Sequence, residues 1–276
     1  MNIFKQQHTF NKLKNVVSFT FRYLNYFIKS KHYGGHGIHS PFIYNFSQKV
    51  IFSKKKHPFF KDIDQIRKSY KHNNKLIPIS DYGAGSRISK NNYRQIKNIA
   101  KTASTQKKYG ELISRMITYL ELKNILELGT SLGIGTLYLS SPLKTRVCTI
   151  EGDPEIYKQA KTTFKQLKAD NITAINKLFD KALPLCLNEM PSLDLVYFDG
   201  NHQKQATLDY FEQCLTKISN HSVFIFDDIH WSAEMEAAWE QIKKHKKTRV
   251  TIDLFQIGIV FFRKELSKQH FTIKYF

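Results

Sequence analysis

Asn124-Ile125-Leu126-Glu127-Leu128-Gly129-Thr130-Ser131-Leu132-Gly133-Ile134-Gly135 is the stretch from which the rest of the chain is read. Ile125 to Leu128 is a short apolar run of the length a buried strand needs. Three closely spaced glycines follow, and then the helix-compatible run Thr136 to Ser140. The order is strand, tight turn, helix. Glycines at such a junction admit positive φ and let bare backbone approach a ligand, while the helix start offers unpaired N–H groups. The stretch is a candidate nucleotide cradle.

Glycine order narrows its ligand. A pyrophosphate-binding turn reads G-x-G-x-x-G, whereas here the order is G-x-x-x-G-x-G with the acid Glu127 two residues before it. A carboxylate at the strand end repels a pyrophosphate and favours a cation. The string resembles the first motif of class I S-adenosylmethionine-dependent methyltransferases, whose cofactor carries an ammonium and a sulfonium. The resemblance implies cofactor contacts from Glu127, Gly129, Thr130, Ser131, Gly133 and Gly135.

Outward from the cradle, β and α patterns alternate. Gln106 to Leu122 reads as a helix leading into it. Arg146–Ile150, Ile172–Ile175, Leu193–Phe198 and Val223–Phe226 read as strands, with helices over Pro154–Lys168, Ala182–Glu189, Gln203–Ile218 and Ala233–His245. Arg249–Phe255 and Ile257–Arg263 are two further β runs joined too tightly for a crossover helix. Such alternation implies an α/β fold with a mainly parallel sheet, helices on both faces and one antiparallel strand. A Rossmann-like sheet of seven strands is what the resemblance adds.

Ligands of open α/β sheets gather at the carboxyl ends of strands. Glu151, 24 residues after Glu127, ends the second strand and is suited to both hydroxyls of a ribose, with Gly152 and Asp153 beside it. The resemblance also implies that Asp180, next to Phe179, meets the adenine amino group; its alternative role is to cap the helix that follows. Asp199 ends the fourth strand, and Asp227 and Asp228 end the fifth. Acids so placed repel unless a cation lies between them. The set resembles the magnesium site of catechol-type and sugar O-methyltransferases, which implies Asp199, Asp227 and Asp228 as ligands of Mg²⁺ or another divalent cation and Asp199 as part of the catalytic set. Helix capping or substrate positioning is the alternative for these acids. His202 stands where the catechol-type family has its general-base lysine, and imidazole does that work near neutral pH. His230 and Trp231 are candidates for a substrate wall, with Trp231 as a core anchor the alternative. Ser219-Asn220-His221-Ser222 replaces the family's usual Pro-Gly-Gly before the fifth strand.

The chain of 276 residues, 41% apolar and 13% aromatic, is long enough for one large α/β domain and an appended segment. Its charge of +20 is uneven. Residues 1–100 hold 19 Lys/Arg against three Asp/Glu, a net of +16, and residues 101–276 hold 24 against 20, a net of +4. We therefore divide it into a basic, helical N-terminal extension, 1–100, and a methyltransferase domain, 101–276. A basic amphipathic helix over Phe10 to Ile28 is suited to docking on the domain or lying on a membrane surface. The turn Asp81-Tyr82-Gly83-Ala84-Gly85-Ser86 rivals the cradle, but Pro78 spoils the preceding strand and polar residues follow, so it is read as a loop or edge turn, with a lid over the active site as its candidate role. His36 and His39 lie in a turn-rich string without acids or cysteines nearby.

No apolar run has membrane-spanning length and no signal-peptide pattern opens the chain, so a soluble cytoplasmic protein is expected. Cys148, Cys186 and Cys214 lack metal or disulfide spacing and are expected as buried free thiols. The reading is an S-adenosylmethionine-dependent O-methyltransferase of a small hydroxylated substrate. Two alternatives stand beside it: an RNA methyltransferase using the basic extension, and a non-catalytic cofactor-binding or membrane-surface protein.

Overall fold

The computed structural model describes residues 18–80, 93–142 and 144–275. The rival turn Asp81 to Ser86 and the first part of the N-terminal helix lie outside these. The chain enters through α1 (18–29) and α2 (Pro41–Phe46), which runs into a wider helical turn, Ser47–Ile51. α3 (Phe60–Lys71), β1 (Leu76–Pro78), β2 (Tyr93–Gln95) and α4 (Ile96–Thr102) follow. β1 and β2 pair as a separate antiparallel ribbon, a setting in which Pro78 needs no donor on its open side.

The larger unit alternates as expected. It comprises α5 (Lys107–Leu120), β3 (Asn124–Leu128), α6 (Ile134–Ser140), β4 (Arg146–Glu151), α7 (Pro154–Gln166), β5 (Ile172–Asn176), α8 (Phe179–Glu189), β6 (Leu193–Phe198), α9 (Lys204–Cys214), β7 (Ile218–Asp227), α10 (Ala233–Lys244), β8 (Val250–Asp253), β9 (Ile257–Phe261) and β10 (Gln269–Thr272). The sheet runs β10-β8-β9-β7-β6-β3-β4-β5, and only β9 opposes its neighbours. It therefore has eight strands where seven were expected. β10 adds to β8 in parallel at the edge, and its four residues, Gln-His-Phe-Thr, carry too little apolar pattern to announce a strand.

Period-two alternation divides the core. Ile125, Leu195, Val223 and Ile225 point to the face covered by α5 and the α2 segment, and Leu126, Val196, Phe224 and Phe226 to the face covered by α8, α9 and α10. α5 buries Tyr109, Leu112, Ile113, Met116 and Ile117, a single stripe at three- and four-residue steps. Ile38, Ile43, Phe46, Val50 and Ile51 belong to that same core, so this part of the extension is built into the domain rather than hung on it. The three cysteines are free thiols, with the sulfurs of Cys148 and Cys186 3.4 Å apart.

α1 docks, but not through its aliphatic stripe. Phe19 and Tyr23 meet Phe255 edge-on, the Tyr26 hydroxyl donates to the Ile273 carbonyl at 2.6 Å, and Arg22 pairs with Glu236 at 3.0 Å. These residues recur at helical spacing and make the seated face. Phe21, Leu24 and Ile28 are turned outward, because two aromatic rings, a buried hydroxyl and an ion pair bind the other face.

Candidate functional site

Connections from β3 lead to β4 and β5 on one side and, after the return through α8, to β6 and β7 on the other, so the sheet changes direction between β3 and β6. Register sets Leu128 against Ile150 and Phe198, and Phe198 against Phe226, which brings the carboxyl ends of β3, β4, β6 and β7 to one rim. A crevice at such a switch point is where an open α/β sheet takes its ligand.

The cradle turn crosses this rim. Gly129 holds φ 110° and lies so close to the Asp199 carbonyl that any Cβ would collide with it; Gly133, φ 81°, starts α6. Glu127 is 1% exposed. Its Oε2 accepts from the hydroxyls of Thr136 and Thr149 at 2.5 and 2.6 Å, while Oε1 is buried with no partner. Burial raises its pKa to about 8 against the pull of the two threonines. Ser104 Oγ and Ser131 Oγ are likewise buried and unpartnered. They line, with Thr105, Gly129 and Asp199, a narrow recess at the rim. Orphaned polar atoms are costly in a dry interior, and here they converge on the surface where a zwitterionic amino-acid group would satisfy them. The residues present therefore fit the methionine end of the expected cofactor.

Glu151 lies beside the turn. Its Oε2 accepts from Ser131 N–H at 2.9 Å and its Oε1 from Asp153 N–H at 3.0 Å, so both oxygens are fixed in place with lone pairs to spare for vicinal hydroxyls. Burial lifts its pKa to about 7. Asp153 is occupied otherwise: Oδ1 caps α7 through the N–H groups of Glu155 and Ile156, both at 2.8 Å, and Oδ2 accepts from Ser80 N–H at 2.6 Å. Thr130, buried, binds the Thr149 hydroxyl. Gly152 offers its carbonyl to the Asn176 amide. Phe179 lies on Gly200, whose lack of a Cβ makes room for the ring. Asp180 is in the first turn of α8 rather than at its cap, and accepts from Tyr210 at 2.9 Å.

The acids of β6 and β7 do meet. Asp199 and Asp227 face one another as a hydrogen-bonded pair, and both carboxyls are pushed up, by burial first. The Tyr197 phenol, fully buried, is raised by burial and by these two acids. Asp228 takes a left-handed φ of 55°: its Oδ1 accepts from the Gln256 amide, which also reaches Asp227 Oδ1 at 3.4 Å, and its Oδ2 is 3.8 Å from His202 Nε2. Among the described residues, no three His, Cys, Asp or Glu side chains form a group that could hold a metal ion. The trio is thus brought to one place, with one Gln256 amide spanning Asp227 and Asp228.

Three contributors were hidden from sequence reading. Gln256, Tyr197 and Thr105, which reaches Asp199 at 3.5 Å, act across 28 residues, in an apolar strand and across 94 residues respectively. His230 is no free wall residue. Its ring is clamped between Glu236 at 2.8 Å and Asp253 at 2.9 Å and stacks on Phe255; burial would lower its pKa, but the two acids prevail and raise it. Trp231 is 42% exposed, so it is not a core anchor. His36 and His39 are exposed.

Comparison with known proteins follows this geometry. Residues 126–229, which run from Leu126 in the cradle strand to the residue after Asp228, match a family model described as a methyltransferase domain. No curated protein matches the sequence. Among solved structures, the O-methyltransferase from Bacillus cereus in complex with SAH (S-adenosylhomocysteine) is similar at a TM-score of 0.54 with 16% identity, covering 79% of this chain and 96% of that one. The O-methyltransferase TomG from Streptomyces achromogenes, in complex with SAM (S-adenosylmethionine), scores 0.53 at 16% identity, covering 79% and 94%. SAH-bound methyltransferase PaMTH1 of Podospora anserina scores 0.52 at 14%, covering 76% and 98%. At such identities the likeness is one of fold. With that shared fold, the segment 126–229, which carries most of the cradle, is similar in sequence to a methyltransferase domain.

Proposed function

We propose that the protein methylates a hydroxyl of a small acceptor. The observation that carries this reading is the cradle's set of buried, unpartnered oxygens lying against a carboxylate cluster at the ends of β6 and β7. When bound, S-adenosylmethionine supplies an electrophilic methyl on a sulfonium. Glu127 Oε1 would take its ammonium and Glu151 its ribose hydroxyls. The acceptor hydroxyl is then held at the acid cluster and gives its proton to His202, with Asp228 steadying the imidazolium that forms. Gln256 fixes the side chain of Asp228. Proximity and in-line alignment account for much of the remaining rate.

Divalent-ion assistance, implied by the resemblance to catechol-type enzymes, enters no step here, since the acids as they stand do not form a ligand set. A thermal-melting titration with Mg²⁺ or Mn²⁺ tests it directly. A rise in Tm that Asp227→Ala abolishes would restore the ion to the mechanism, and an unchanged Tm would remove it. The methyltransferase reading is tested by a screen of hydroxylated small molecules with radiolabelled S-adenosylmethionine. His202→Gln is expected to lower kcat about 100-fold with S-adenosylhomocysteine affinity retained. Transfer to RNA but to no small acceptor would overturn the substrate assignment.

A further inference from the structure

α1 has two faces, and among the described residues one of them is seated on the domain. Phe19, Arg22, Tyr23 and Tyr26 seat it against Phe255, Glu236 and Ile273. On the opposite side Phe21, Leu24 and Ile28 recur at steps of three and four, 72%, 53% and 78% exposed. Phe27, 43% exposed, borders the stripe with the Lys274 ammonium 3.7 Å above its ring. Lys29 and Lys31, both exposed, lie at its C-terminal end. An aromatic and aliphatic stripe on a helix already fixed by its other face is costly to leave in water.

From this we infer that the outward face of α1 is a docking surface for an anionic lipid bilayer. The charge argues for that occupant. A second copy of the chain would bring another +20 against the first, whereas an anionic headgroup layer neutralises the lysines that flank the stripe. Leu24 and Ile28 argue against a nucleic acid, because phosphates do not cover aliphatic side chains and bases stack on rings rather than on branched chains. An amphipathic helix lying flat, with Phe and Leu below the headgroups and lysines among them, satisfies both features. Among the described residues no helix is long and apolar enough to cross a membrane, so the association is one of surface contact.

Flotation of the full chain with two vesicle preparations tests the inference: phosphatidylcholine alone, and phosphatidylcholine mixed with an equal part of phosphatidylglycerol. The protein is expected to float with the anionic vesicles. The variant Phe21→Ser/Leu24→Ser/Ile28→Ser should bind them about tenfold or more weaker with its melting temperature kept. Should that variant fail to fold, Lys29→Glu/Lys31→Glu is expected to weaken the same preference for anionic vesicles. No flotation, or flotation that neither variant changes, would overturn it. So would self-association of the wild type that the triple variant abolishes, or binding to single-stranded RNA that depends on the stripe. Calorimetric binding of S-adenosylhomocysteine, measured on the same samples, is independent of the stripe and reports separately on the methyltransferase reading.

Discussion

Glu127 is a buried acid with one oxygen left without a partner. In the free protein its partnerless Oε1 opposes folding in the charged form, and burial holds its pKa near 8, with Glu151 near 7. Both values lie above those of an unfolded chain, so the native state binds more protons, and the stability this gives is present below about pH 4.5 and is lost as pH rises through 7 to 8. The apo-protein's Tm is expected to fall across that window. Glu127→Gln keeps an oxygen for Thr136 and Thr149 and removes the charge, so it should flatten the decline and raise Tm at pH 8 by a few degrees, roughly, while weakening S-adenosylhomocysteine in calorimetry about tenfold or more. Glu151→Ala should weaken the same ligand about 100-fold, since two charge-assisted hydrogen bonds to ribose are lost. Both acids stand out in the sequence because they lie at or next to strand ends beside a glycine turn. Gln256 and Thr105 were not, since nothing local to them in sequence says which carboxylate they will meet.

At the scale of elements, the β3–α6 turn is fixed by contacts as well as by torsion. Gly129→Ala would add strain at φ 110° and a collision with backbone, which cannot give way as a side chain can. A loss of about 2 kcal/mol or more in urea denaturation is expected, together with loss of cofactor binding. Asp153 joins α7 to the segment after β1, and Asp153→Ala should cost about 1–2 kcal/mol by the same measurement through the lost cap. Strong periodicity made β3, β4, β5 and β6 readable nearly to their ends, whereas β7 begins at Ile218, five residues before the expected Val223, and α9 ends at Cys214 rather than Ile218. Edge elements were harder. β10 is short and polar, β1 contains a proline, and α1 has hydrophobic residues on two faces, so its pattern did not say which face the domain would take.

For the molecule as a whole, the two termini of the described chain close on each other. Besides the Tyr26 hydroxyl on the Ile273 carbonyl, Lys31 forms an isolated bridge with Ile273, and the Tyr275 N–H donates back to the Tyr26 hydroxyl at 3.3 Å. Tyr26→Phe leaves the packing and orphans a buried carbonyl, at a cost of about 1–3 kcal/mol in denaturant unfolding. None of this long-range closure is visible in local pattern, whereas the alternating core is, because each βα unit is decided within a few dozen residues. The closure also sets a timetable. Hydrogen-bond partners 247 residues apart cannot meet until both have been made, so α1 waits for the residues after β10 before it has a seat. During that wait both of its apolar faces are bare. A chain cut short before β10 would carry that double-sided helix permanently, with the edge of β8 uncovered, and would be a substrate for chaperones or proteases rather than a slower enzyme.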